Sequence, residues 1–520
     1  MNNSVVKNNE KTIHKFLIVI ACLIFAVYSE KIIGRGLKIT ALYSLLCVSI
    51  ITTGIVGIRS VLYKKDQIHY LYLKIAIPLL IVFSFLLPPG MVPDENTHLK
   101  NIASLSSQLL GVEINHKATL TYDEYRMIYD NHWDEATRLN IKDVRKYVLS
   151  NLRVKTNKSF VALDKVSSAK YSIIYYLPAV LGLTFGRIFG LNAIISFFFA
   201  RFFGMFVYLA LTYYALKKMP IKKNLFFGIL LMPVVLQQGM SISYDLMLNS
   251  CSFLAVSLGL GFVITPEQSR NKKNYFLYFL TAVVLIFVKS GIYSLLLLSP
   301  LILMTKRDIK NINYKQVGFV ISFIVGLIAI RVLATMFTYK PVTFTNSLYS
   351  MLPWNNPKTQ FMYSVNYFIN HPLRLPYILL NDIRVHFGFY FRSAFSLLGW
   401  LNIQLSTALN YIWIFVFMLA SSFEKDLEYN FSKFQRILYL LLIMGVTALV
   451  LVGLLLSWTP LGANHILGVQ GRYFLPLILP LFMLISTSKN NTSKIEGSYL
   501  KLAFLLLAII ESLDLLYLAF

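Results

Sequence analysis

Long apolar runs alternate with short polar connections from Phe16 to Phe520. The runs are about 15 to 25 residues long, close to the roughly 20 that a helix needs to cross the hydrocarbon of a bilayer. Those at 39–58, 71–88, 192–216, 243–264, 316–337, 437–457 and 500–519 read as membrane spans. Run 16–33 follows Lys7, Lys11 and Lys15 and has the look of a signal peptide. No small-residue cleavage site follows it, so it reads as a retained first span.

Composition strengthens this picture. Of 520 residues, 57% are hydrophobic and 14% charged, more apolar surface than one soluble core can hide. The expected fold is an all-α polytopic membrane protein. A net charge of +26 raises the question of nucleic acid, and the placement of the charges argues against it. Lys and Arg gather in short connections: Arg59, Lys64 and Lys65; Lys217, Lys218, Lys222 and Lys223; Arg270, Lys272 and Lys273; Lys306, Arg307, Lys310 and Lys315; Lys425, Lys433 and Arg436. Short basic loops stay on the cytoplasmic side and favour anionic lipid headgroups.

With the amino terminus inside, all of these loops can be inside only if two runs do not cross the membrane as single helices. Run 275–305 must be a hairpin turning near Lys289. Run 171–190 must enter from the outer side and return, or lie along the surface. The scheme has about 13 spans. It divides the chain into N-terminal spans 1–88, an outer subdomain 89–170, a transmembrane core 171–337, a second outer loop 338–408 and C-terminal spans 409–520. Stretch 89–170 has mixed charge and apolar residues at helical spacing from Thr97 to Leu110, which predicts a small, partly helical folded unit. Long outer loops carry function more often than they carry the fold. Cys22, Cys47 and Cys251 lie in apolar runs at spacings that suit neither zinc nor a disulfide framework.

The topology brings the candidate chemistry to one face. Run 71–88 leaves the membrane into Pro88-Pro89-Gly90-Met91-Val92-Pro93-Asp94-Glu95-Asn96-Thr97-His98. A helix starting near Pro93 puts Asp94 and His98 on one face with Glu95 pointing elsewhere. A carboxylate held there can take a proton from a hydroxyl nucleophile, and sharing a face with His98 favours Asp94 over Glu95 as that base. The competing reading is that both acids cap a helix. Lys289 interrupts the apolar run Tyr275–Leu303, where a lysine is costly unless it pairs or meets an anion; snorkelling to the interface is its plainer role. Asp245 stands at a helix start as a binding group or a cap. Gly468-Val469-Gln470-Gly471-Arg472-Tyr473 is a polar turn between spans, where glycines admit close backbone approach and Arg472 offers a fork of donors suited to phosphate. Arg472 and Tyr473 can equally be interfacial anchors. Glu511 and Asp514 are intramembrane acids without an assignable partner. A single histidine in Asp94-Glu95-Asn96-Thr97-His98 makes no zinc motif. No cofactor is assigned, and a divalent metal is left open.

Five elements in order resemble the bacterial family catalogued as domain of unknown function 2142. They are Pro93 to His98, Ser243-Tyr244-Asp245, Lys289-Ser290-Gly291, Ser396 to Leu401 and Gly468 to Pro476. The family often has prolines flanking its Asp-Glu, where Val92 and Asn96 stand here, and an acid after Gly-Trp-Leu, where Asn402 stands. That family in turn resembles the GT-C superfamily of glycosyltransferases, which use polyprenyl-phosphate or polyprenyl-diphosphate carriers. The resemblance implies a bacterial plasma-membrane enzyme with an outward active site. It would move sugar from a polyprenyl-phosphate-linked donor to a glycan acceptor, with Asp94 or Glu95 as base and His98, Asp245, Lys289, Gln470, Arg472 and Tyr473 binding substrate. A flippase or transporter of lipid-linked glycans is the rival class, and its ionisable residues belong near the bilayer midplane in matched halves. A glycan polymerase is a nearer rival.

Overall fold

The computed structural model describes residues 18–29, 36–63, 66–129, 140–154, 157, 159–167, 173–269, 271–303, 362–424, 431–485 and 495–520. The expected span 316–337, the basic cluster Lys306 to Lys315 and the first part of loop 338–408 lie outside the described residues.

The helices in chain order are α1 (Ile18–Ser29), α2 (Leu37–Leu62), α3 (Ile68–Leu86), α4 (Glu95–Leu109), α5 (Tyr122–Tyr129), α6 (Ile141–Asn151), α7 (Ile173–Ile188), α8 (Ala193–Lys218), α9 (Lys223–Leu231), α10 (Pro233–Met240) and α11 (Asp245–Ile264). After these come α12 (Pro266–Ser269), α13 (Lys272–Phe287), α14 (Ser299–Leu303), α15 (Val365–Asn370), α16 (Arg374–Phe395), α17 (Thr407–Phe423), α18 (Lys433–Trp458), α19 (Leu475–Met483) and α20 (Gly497–Ala519). Two antiparallel ribbons, β1 (Lys117–Thr121) with β2 (Phe160–Ser167) and β3 (Leu397–Leu398) with β4 (Ile403–Gln404), add strand that an all-helical expectation omits. Among the described residues, seven helical stretches are long and apolar enough to cross a membrane: α2, α3, α8, α11, Lys272–Leu303, α18 and α20.

Stretch Lys272–Leu303 is not one straight rod. Lys289, Ser290 and Gly291 all have left-handed backbone, with φ of 44°, 57° and 78°. The chain therefore folds back, and Tyr278 Oη donates to Leu297 O across the turn at 2.6 Å. Nineteen residues of continuous helix would hold those atoms about 28 Å apart. Of the two expectations for run 171–190, that it enters and returns or that it lies along the surface, the first does not hold. The run forms the unbroken helix α7, antiparallel to α8, because Gly182 and Gly186 let the two backbones meet. A Cβ at Gly182 would stand 2.4 Å from Phe199 O, and one at Gly186 2.4 Å from Ser196 Oγ. This small-xxx-small spacing permits close helix packing in lipid. The opposite face of α7 presents Ile173, Leu177, Leu181, Phe185 and Ile188, all exposed.

Contacts between helix ends sort the molecule into two poles. At one, Gln268 Nε2 donates to Lys218 O, Tyr214 to Asn274, the backbone and side chain of Asn224 to Glu424, and Ile495 N to Phe423 O. The clusters Lys217 to Lys223 and Lys272–Lys273 are at this pole. At the other, Trp400 Nε1 donates to Gly90 O, Arg145 to Leu86 O and Ala519 O, and Ser406 N to Asp514. The described part of region 89–170 belongs to this second pole, and its α4 runs beside α7. Ser106 and Thr184 are hydrogen-bonded, and Arg187 pairs with Glu124 of α5 at 2.5 Å. Glu511 and Asp514 brace α20 against the segment of α17, accepting from Trp413 Nε1 (2.6 Å) and Ser406 N (2.9 Å) respectively.

Positive-inside bias predicts that the pole with the basic clusters is the cytoplasmic one. With Cys22 replaced by serine, cysteine at Ser150 is expected to react with a membrane-impermeant thiol reagent in intact cells, and cysteine at Asn271 only after permeabilisation. The reverse pattern would invert the molecule.

Candidate functional site

The second pole holds a buried ion cluster, and its geometry begins with two adjacent acids. Helix α4 starts at Glu95, and Asp94 precedes it with φ 63° and no side-chain capping bond. Glu95 and its partner Arg201 on α8 are both 0% exposed. Arg201 Nη2 lies 2.8 and 2.9 Å from the two carboxylate oxygens, and Nε donates at 3.2 Å. Glu95 also accepts from Gly90 N at 2.9 Å, while Arg201 Nη1 donates to Ser84 O and Leu87 O. Both groups are saturated, as buried charges must be. Their bonds close the turn between α3 and α4 and leave Asp94 facing the other way.

The Asp94 side chain is 48% exposed and accepts from Arg472 Nη2 at 2.6 Å. Arg472 is nearly buried in the turn before α19, with Nη1 toward Pro93 O at 3.4 Å and Nε 3.6 Å from Asp245 Oδ2. Asp245 opens α11 without capping it, and its Oδ1 pairs with Lys289 Nζ at 2.9 Å. An ammonium has three donors, so Lys289 keeps donor capacity beyond this contact. Lys289 Nζ also stands 3.7 Å from the centre of the Tyr473 ring and 5.5 Å from that of Tyr244, within cation–π range. Asp94 and Lys289 both sit in left-handed backbone, which costs a non-glycine residue roughly 1–2 kcal/mol. Such strain persists where surroundings over-determine it, commonly at functional sites.

His98 is buried one turn along α4. The expected pairing of its ring with Asp94 is not what the structure has: Nδ1 is hydrogen-bonded to the Tyr176 hydroxyl, and the ring meets Tyr244 edge-on at 4.9 Å. Burial pushes the imidazole down to about 4 from its ordinary 6.5, against the pull of Asp94 and Asp245, so it is neutral at neutral pH. Asp94, His98, Asp245, Lys289, Arg472 and Tyr473 thus come together. Glu95 turns away into its own pair, and the buried Gln470 Oε1 meets no hydrogen-bonding partner among the described residues. The Ser396 to Leu401 element lies against this turn, with Gly399 N donating to Gln237 and Trp400 to Gly90 O. Among the described residues no three His, Cys, Asp or Glu side chains are grouped as a metal site.

Sequence reasoning passed over Arg201 and Tyr176, and took Tyr244 only as part of the Ser243-Tyr244-Asp245 element. Arg201 was findable, since it interrupts Phe197 to Phe203 as Lys289 interrupts its own run. Tyr176 carries no comparable signal in so aromatic a chain.

Membrane-crossing helices gathered around a buried ion cluster define a polytopic helical membrane protein. Residues 78–482 match the family described as "Predicted membrane protein (DUF2142)", and the chain belongs to that family. Every site residue lies within the matched range. No curated protein and no solved structure matches the chain.

Removing one member of the buried Glu95–Arg201 pair strands the other. Glu95→Gln or Arg201→Met is expected to cost about 3–5 kcal/mol in unfolding of the detergent-solubilised protein, and the double variant to recover much of it. Singles as stable as the parent would deny the pair its structural role. His98 gives a pH signature of definite sign. Above pH 6.5 it is neutral in both folded and unfolded chains. Between 6.5 and about 4 only the unfolded chain takes up the proton, so stability falls as pH falls through that window, by up to about 3 kcal/mol. His98→Gln should flatten this slope in pH-resolved melting.

Proposed function

We propose that this protein is a GT-C-like membrane glycosyltransferase of about 13 spans. It transfers sugar from a polyprenyl-phosphate-linked donor to a glycan or lipid-linked acceptor at the outer face of a bacterial plasma membrane. The observation that carries the reading is the apposition of one accessible carboxylate, Asp94, to two shielded cations, Lys289 and Arg472. A base and an anion site side by side are what sugar transfer from a lipid phosphate requires. The outward placement is supported by the segregation of the basic loops at the opposite pole.

The reaction is one inverting displacement. Asp94 takes the proton of the acceptor hydroxyl, whose oxygen forms a bond to the anomeric carbon. The bond from that carbon to the phosphate oxygen breaks, and its electron pair leaves with the polyprenyl phosphate. Lys289 and Arg472 stabilise that departing charge by Coulomb attraction and hydrogen bonding. The phosphate is a good leaving group, so no general acid is needed. Because Arg472 pairs with Asp94, an arriving phosphate competes for the guanidinium and releases the carboxylate to act as base. Glu95, with both oxygens engaged by Arg201, has no part in the proton transfer.

Asp94→Asn keeps the side-chain shape and loses the basic oxygen. It is expected to abolish sugar transfer in membranes, by at least about a hundredfold, while donor binding survives. Lys289→Ala and Arg472→Ala should instead weaken donor binding by roughly tenfold each. The readout is the glycan composition of the cell surface in cells without the protein, complemented by each variant. Full transfer by Asp94→Asn refutes the assigned base, and an unchanged surface glycan on deleting the protein refutes the reaction.

A further inference from the structure

Helix α16, within stretch 338–408, carries a buried acid outside the ion cluster. Asp382 is 0% exposed, yet no cation of the Lys or Arg type is paired with it among the described residues. Its carboxylate accepts from three donors instead. Ile466 N reaches Oδ1 at 2.8 Å, His386 Nδ1 lies 3.0 Å from the same oxygen, and Tyr390 Oη donates to Oδ2 at 2.5 Å. Two donors come from α16 itself, one and two turns further on. The third comes from the connection between α18 and α19, which also carries Arg472.

A second fastening lies five residues along that connection. Gly471 N donates to Ser393 Oγ at 2.8 Å. The backbones are so close here that a Cβ on Gly471 would fall 2.1 Å from Tyr390 O and 2.3 Å from Ala394 N. Tyr390 serves both points: its hydroxyl satisfies Asp382, and its carbonyl faces Gly471. Arg472 is the next residue, so the chain that presents its guanidinium is clamped to α16 on the side leading into it. Between the clamps, Gly468 has φ +77° and Val469 is buried in a small core with Ile466, Tyr390, Ile378 and Leu451.

We propose that Asp382 is a positioning residue for Arg472: through Ile466 and Tyr390 it sets the height and direction of the guanidinium that receives the donor phosphate. The inference rests on the reading of Arg472 as a phosphate contact. Asp382 touches no ligand itself. A buried carboxylate is suited to this work because charge-assisted hydrogen bonds are shorter and stronger than neutral ones, and because it binds three donors at once. A guanidinium recognises phosphate through fixed geometry, so a small displacement of its support lowers affinity without removing any contact group.

The test is a double-mutant cycle on binding of a short polyprenyl monophosphate, farnesyl phosphate, to the purified full-length protein in detergent. Asp382→Ala and Arg472→Ala should each weaken binding about tenfold. If Asp382 acts through Arg472, the double variant should be no weaker than Arg472→Ala alone. Lys289→Ala combined with Asp382→Ala should multiply to about a hundredfold, because Lys289 hangs from a different hairpin. Tyr390→Phe, which removes one donor and keeps the packing, should reproduce part of the loss if Asp382→Ala does not fold. A purely structural Asp382 would lower thermal stability and multiply with both Lys289 and Arg472. Multiplication with Arg472 overturns the proposal, as does unchanged binding in both Asp382→Ala and Tyr390→Phe. If Arg472→Ala itself binds normally, it is the phosphate reading that fails.

Discussion

The site depends on one buried ion pair. Neither Glu95 nor Arg201 is tolerable alone in the apolar packing where both lie, since an isolated buried charge costs several kcal/mol. Together they satisfy each other, and their remaining capacity is spent on Ser84 O, Leu87 O and Gly90 N. The consequence is a fixed turn between α3 and α4 in which Asp94 is driven into left-handed backbone and its carboxylate emerges on the accessible side. Two adjacent acids of nearly equal intrinsic chemistry thereby acquire opposite fates. One is locked as structure, and the other is presented to whatever enters the site.

Around Asp94 the described charges balance. Asp94 and Asp245 face Lys289 and Arg472, which come from α4's approach, α11, the Lys289 hairpin and the turn before α19. Such a cluster is balanced within itself, each cation facing a carboxylate. Lys289 has donors beyond its contact with Asp245, and the aromatic faces of Tyr473 and Tyr244 hold its charge without consuming them. Neutral His98, bonded to Tyr176, lines the site as a wall and adds no charge.

Some of this was legible residue by residue. The Lys289 fold-back followed from basic loops at both ends of one apolar run, and the bond from Tyr278 to Leu297 O has that geometry. Arg201 obeyed the same rule of costly intramembrane charge and was overlooked among so many aromatic neighbours. The preference for Asp94 over Glu95 came from helical phase and a supposed partnership with His98. The geometry separates the acids for another reason, a partner more than a hundred residues away on α8. Gly182 and Gly186 carried a packing signal for a continuous helix α7 beside α8, which speaks against a segment that turns back.

By itself, then, the sequence determined the solvent and the class of element. Whether a stretch is apolar for about 20 residues is a local property, and lipid enforces helix on any such stretch because backbone polar groups have no water to bond. It also determined family membership, through short motifs along residues 78–482. Which charge meets which was decided only in the tertiary structure. Glu95 with Arg201, Lys289 with Asp245 and Arg472 with Asp94 are separated by 106, 44 and 378 residues. Coulomb and hydrogen-bond energies depend on ångströms and on burial, and neither quantity exists until the helices have packed.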